Sequence, residues 1–257
     1  MSAVIPASLT AFFDDRLALA AMIAFVSGVV RGFSGFGQGM IYVPLIAVLY
    51  GPRLAVTTIL LIDFICSIPF LVPALPHVRW RQMMPLVAAA ALTIPLGTLA
   101  LLYVDPDPLR WAIAIAIMVC VALLASGWRY RGAPGLPVTL GVGAASGILG
   151  GAIQIPGPPV ILFWLSGTLS AVAARANFIA YFALFDVIAL IVYGWSGLLT
   201  NEIFLFGLLM FVPFVSGAAG GSMIFIFMSD SNYRAAAYVL ILIAAVLSLP
   251  LFDGLLR

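Results

Sequence analysis

The chain has 257 residues, of which 65% are hydrophobic and only 8% charged, and its net charge is +2. A soluble domain carries about 25% charged residues, so this composition excludes a water-soluble globule, which needs far more polar surface to cover its core. Every basic residue is arginine, with no basic cluster of the kind that holds a nucleic acid, so nucleic acid is not expected as a partner.

In chain order, Asp14, Asp15 and Arg16 precede the first apolar stretch, without the basic region that opens a cleaved signal peptide. Ten apolar segments follow. The first half holds Leu17–Val30, Met40–Tyr50, Leu54–Val72, Met83–Tyr103 and Leu109–Trp128. The second half holds Pro137–Leu149, Pro159–Leu169, Val172–Trp195, Ile203–Met228 and Tyr233–Leu251. Uncharged runs such as Gln82 to Val104 and Gly132 to Ala174 match the roughly 20 residues of a spanning helix. A multi-pass protein of the cytoplasmic (inner) membrane, in contact with the lipid bilayer, is therefore predicted. Cys66 and Cys120 lie inside apolar segments and are read as packing residues, not a disulfide.

Two glycine-rich stretches interrupt the apolar pattern, RGFSGFGQG from Arg31 to Gly39 and GILGGAIQIPGPP from Gly147 to Pro159. Glycine and proline at this density break helices. A break at membrane depth is tolerated only where protein or a watery cavity surrounds it. Paired breaks at matching places in two halves point to a transporter's substrate site.

With an offset of 119 positions, Ser27 and Gly28 meet Ser146 and Gly147, Gly32 meets Gly151, and Ala55 meets Ala174. The predicted fold is therefore all-α and polytopic, a single membrane domain of two inverted repeats. Residues 1–131 form the first repeat with a hairpin over 17–50, and residues 132–257 the second with a hairpin over 137–169. Each hairpin is re-entrant or a broken helix, and about three full crossings accompany it. The short segments fall near or below the lower limit for a span. An odd number of crossings inverts the second half. Arg79, Arg81, Arg129, Arg131, Arg175 and Arg234 then share one side, expected to be cytoplasmic. Arg16, Arg53, Arg110 and Arg257 share the other. If the short pieces cross fully, that segregation fails.

A broken helix aims free N–H groups and a positive dipole end into the cavity, which suits an anion without an ionised side chain. Gly35, Gly37, Gln38 and Gly39 are the expected lining in the first hairpin, and Gly151, Gln154, Pro156, Gly157 and Pro158 in the second. The Gln38 and Gln154 amides can donate to anion oxygens. For Gly28 and Gly32, spaced by four, close helix packing is the favoured reading. An ionisable residue in an apolar stretch is a functional candidate by default. Arg31 either pairs with the anion or neutralises a buried Asp. Arg175 either contacts substrate or anchors the interface, and Asn177 is a candidate polar ligand. Asp63 and Asp186 either carry a coupled proton or stay ionised beside Arg31 or Arg175. His77 is read as a solvated loop residue.

No metal-ligand spacing, nucleophile elbow or phosphate loop is present. The chain is not expected to be an enzyme or to carry a cofactor or metal.

The runs VVRGFSGFGQGMIYVPLIAVLYGPRLAV and GILGGAIQIPGPPVILFWL, the latter followed by AARANFIAYF, resemble the first- and second-half signatures of the TauE/SafE sulfite exporter and organosulfonate permease family. The resemblance covers nearly the whole chain. Gln154-Ile155-Pro156 departs from it, since the family often carries more glycine there. The resemblance implies a secondary transporter of sulfite, an organosulfonate or a related small anion; alternating access is the expected mechanism, with protons preferred over sodium as the coupling ion. Import or export, and whether a second copy of the chain is a partner, stay open. A passive anion channel and a non-transporting scaffold or assembly factor are the alternatives.

Overall fold

The computed structural model describes residues 16–34, 37–126, 135–165 and 171–224, together with Leu242 and Val246. The predicted last helix, Tyr233–Leu251, otherwise lies outside the described residues, as do Gly35, Arg129, Arg131, Arg234 and Arg257. Among the described residues the regular structure is entirely helical.

The helices are α1 (Arg16–Ser34), α2 (Gln38–Tyr50), α3 (Pro52–Ala74), α4 (Trp80–Tyr103) and α5 (Pro106–Ala125), then α6 (Leu136–Ile153), α7 (Gly157–Leu165), α8 (Ala171–Trp195) and α9 (Asn201–Ile224). A short 3₁₀ turn, Leu75–His77, links α3 to α4. Among the described residues, six helices are long and apolar enough to cross a membrane: α3, α4, α5, α6, α8 and α9. Large apolar side chains such as Leu92, Trp195 and Val212 stand on their outer faces, where a lipid environment would cover them.

The glycine-rich breaks are narrower than the sequence pattern suggests. Helix α1 continues through Arg31 to Ser34, and α6 continues through Gly147, Gly150 and Gly151 to Ile153. The first arms are therefore 19 and 18 residues long, and α6 reaches spanning length. The reason lies in their neighbours. A Cβ on Gly147 would stand 2.5 Å from the Ala90 carbonyl oxygen, and one on Gly151 2.3 Å from that of Ile94. These glycines let α6 lie directly on α4 and stay helical. The helix stops only after Ile153, where Gln154 turns left-handed and Pro156 has no N–H to continue the ladder.

Contacts between chain ends orient the bundle. Arg16 Nη1 donates to the Leu49 carbonyl over 3.3 Å, so α1 and α2 run antiparallel as a hairpin. Arg53 at the start of α3 donates through Nε to Leu101 O (3.2 Å) and through Nη2 to Leu102 O at the end of α4. At the opposite end the Arg79 amide donates to Asn177 Oδ1 at the start of α8, 2.8 Å away. Arg110 is only 1% exposed, with Nη1 3.7 Å from Asp107 Oδ1.

Two close pairs mirror each other: α1 packs on α9, and α6 on α4. In the first, a Cβ on Gly28 would meet Phe214 O at 2.0 Å, and one on Gly32 would meet Ala218 O at 1.9 Å. Gly217 and Gly221 return the contact against Phe25 O and Val29 O, both at 2.1 Å. Small residues on both faces allow this backbone approach. Gly32→Ala must push α1 and α9 apart, and an unfolding titration in detergent should show a loss of about 1–3 kcal/mol. Gly141, with nothing within 4 Å of its Cβ position, is the control, and Gly141→Ala should cost nothing.

Candidate functional site

The two breaks meet. A Cβ on Gly39, one residue into α2, would lie 2.7 Å from the Gln154 carbonyl oxygen and 3.6 Å from Ile155 Cγ1. Between them lies a small, partly open cleft. Arg31, Gly37, Gln38 and Gly39 line it from the first hairpin, with Asp63 from α3; Gln154, Pro156, Gly157 and Pro158 line it from the second, with Asp186 from α8.

Each break is built by its local sequence. Gly37 caps α2 at φ 89°, a left-handed conformation open to glycine at no steric cost. No side chain caps the α2 N-terminus, so its first N–H groups and positive dipole end face the cleft. At the second break Gln154 itself adopts the left-handed conformation, φ 52°. A non-glycine residue there stores about 1–2 kcal/mol of strain. The chain then folds back: Tyr181 donates to Ser146 Oγ and Ser146 to the Pro156 carbonyl, both over 2.7 Å. Tyr193 Oη donates to Gly151 O over 2.8 Å. The Phe185 ring fills the place a Cβ on Gly150 would take.

The side chains repeat one motif with one difference. Gln38 Nε2 donates to Asp63 Oδ2 over 2.9 Å, and Gln154 Nε2 donates to Asp186 Oδ1 over 3.2 Å. Both carboxylates are buried, at 7% and 2% exposed. Arg31 Nη2 pairs with Asp63 Oδ1 at 2.8 Å and reaches Ser67 Oγ at 3.3 Å. Asp186 makes no ion pair among the described residues, and its Oδ2 has no hydrogen-bond partner. Arg175 sits eleven residues earlier on the same helix, about 16 Å along the axis, and its side chain lies outside the described residues.

The remaining expected residues fall elsewhere. Gly151 faces α4, not the cleft. Asn177 is fully buried where it accepts the Arg79 amide. Two carboxylates and one guanidinium share the cleft with the α2 N-terminus. Met40, Ile155 and Phe182 also line it. Apolar residues in an apolar helix carry no signal that separates cavity lining from core, so the sequence pattern did not mark them.

A sequence model of the family described as "Sulfite exporter TauE/SafE" matches residues 20–248. No curated protein and no solved structure matches the chain.

Proposed function

The chain belongs to the TauE/SafE sulfite exporter family, and from that premise we propose that it is a secondary transporter of a small sulfur-containing anion, sulfite or an organosulfonate. This is a multi-pass membrane protein of a transporter family. The observation that carries the proposal is the meeting of the two breaks over one polar cleft inside an apolar bundle.

The anion would sit against the α2 N-terminus, with the Gln38 and Gly39 N–H groups as donors and Arg31 supplying charge beside them. Pro156, Gly157 and Pro158 would close the opposite wall. Asp186 would carry the coupled positive charge, and Asp63 would hold Arg31 in place. The mirrored pairs, α1 with α9 and α6 with α4, support two inverted repeats over 1–131 and 132–257. Rocking of one repeat against the other would open the cleft to each side in turn. The run Gln154-Ile155-Pro156, poorer in glycine than the resemblance leads one to expect, would shape the pocket and tune which anion fits. The cytoplasmic membrane is the proposed location.

A ligand that binds only the folded state raises its stability. Sulfite, sulfoacetate, taurine and an aryl sulfonate, added to the purified protein, should include one that raises the melting temperature in a saturable way. The same anion should be counter-transported in proteoliposomes. A channel would pass it without counter-transport, and a scaffold would show neither response.

A further inference from the structure

The two breaks differ in chemistry. The first is rich in donors: the α2 N-terminus has no side-chain cap, and Arg31 stands beside it. The second is rich in acceptors. Pro158 and Pro159 lack N–H groups, which leaves the first turn of α7 poor in donors. Gln154 closes the C-terminal, negative end of α6 at the cleft.

Unpartnered buried acceptors stand at both breaks. Gln38 Oε1, Gln154 Oε1 and Asp186 Oδ2 belong to cleft-lining residues and have no hydrogen-bond partner. All three are acceptors, on side chains at least nine-tenths buried. An unsatisfied buried acceptor is costly. In both motifs the glutamine turns its NH₂ group to a carboxylate, which leaves each amide oxygen for something else. An anion cannot satisfy these atoms. A cation with hard-oxygen preference can, and carboxylates with carbonyl oxygens are its usual ligands. Among the described residues no group of three His, Cys, Asp or Glu gathers as around a divalent metal, so a single positive charge is the better match.

We infer that the cleft holds one sodium ion on the Asp186 carboxylate and the amide oxygens of Gln38 and Gln154, bound together with the transported anion. The inference rests on the transport reading above and names its coupling ion. Its physical basis is charge balance. Arg31 and Asp63 neutralise each other. An ionised Asp186 would repel an arriving anion, and sodium removes that repulsion. Each ion then raises the affinity of the other by the same factor.

The test uses the purified full chain at fixed pH and ionic strength, with sodium chloride exchanged for choline chloride so that chloride stays constant. Sodium should raise the melting temperature saturably where choline does not. The anion that binds in the panel above should bind about tenfold or more tightly in sodium. Asp186→Asn should abolish the sodium response. Gln154→Gly, which suits the left-handed backbone and should fold, should weaken it. Equal melting temperatures in the two salts overturn the inference. An anion affinity that ignores sodium and changes with pH also overturns it, and assigns the coupling to a proton. If no anion of the panel binds in either salt, the transport reading fails, while the sodium shift still decides the cation site.

Discussion

Arg31→Ala should abolish anion binding and destabilise the protein together. The guanidinium is the counter-ion of Asp63, 2.8 Å away at the cleft wall. Removing one partner of a buried pair leaves the other charge uncompensated, at a cost of about 3–5 kcal/mol. A destabilised variant that binds nothing is ambiguous, so the informative chain is the double variant Arg31→Ala with Asp63→Asn. Losing the negative charge should restore most of the stability, measured by unfolding in detergent. Anion affinity, measured by calorimetry, should stay lost. Wild-type affinity in the double variant would make Arg31 a structural counter-ion and move the anion elsewhere.

Gly39→Val should lower anion affinity by about a hundredfold or more and cost about 1–3 kcal/mol of stability. The cause is a backbone contact: even a Cβ at this position meets the Gln154 carbonyl oxygen at 2.7 Å. A carbonyl in the opposite break cannot swing aside as a side-chain tip would, so the hairpins must part. Gly157→Ala is the comparison. Its Cβ would meet Ile161 Cδ1 at 3.5 Å and Phe182 Cζ at 3.6 Å, both ordinary contacts. Its stability should match or exceed that of the parent, since alanine is a better helix residue than glycine. Equal stability and affinity in Gly39→Val and the parent would mean that the breaks need not touch for the cleft to form.

Gln38 pairs with Asp63 as Gln154 does with Asp186, and the Arg31 ion pair sets the two carboxylates apart. One is committed to Arg31, and the other faces the cleft without an ion pair. A protein that moves an anion with a cation needs such an asymmetry, because two fully compensated carboxylates would leave nothing for the second ion to neutralise.

Composition and run length by themselves determined that this chain is helical and lies in a membrane, because the energetic penalty for polar groups in lipid leaves few alternatives. The glycine and proline clusters located both breaks to within a few residues, since those residue types change backbone conformation directly. Only the tertiary structure decided which glycines end a helix and which let one lie on its neighbour, as Gly147 and Gly151 do against α4. It also decided that Arg31 belongs to Asp63 while Asp186 makes no ion pair among the described residues, that Asn177 braces a loop, and that Arg110 is buried. Periodicity cannot assign such partners. They lie tens of residues apart in the chain, and they meet only once the helices have packed.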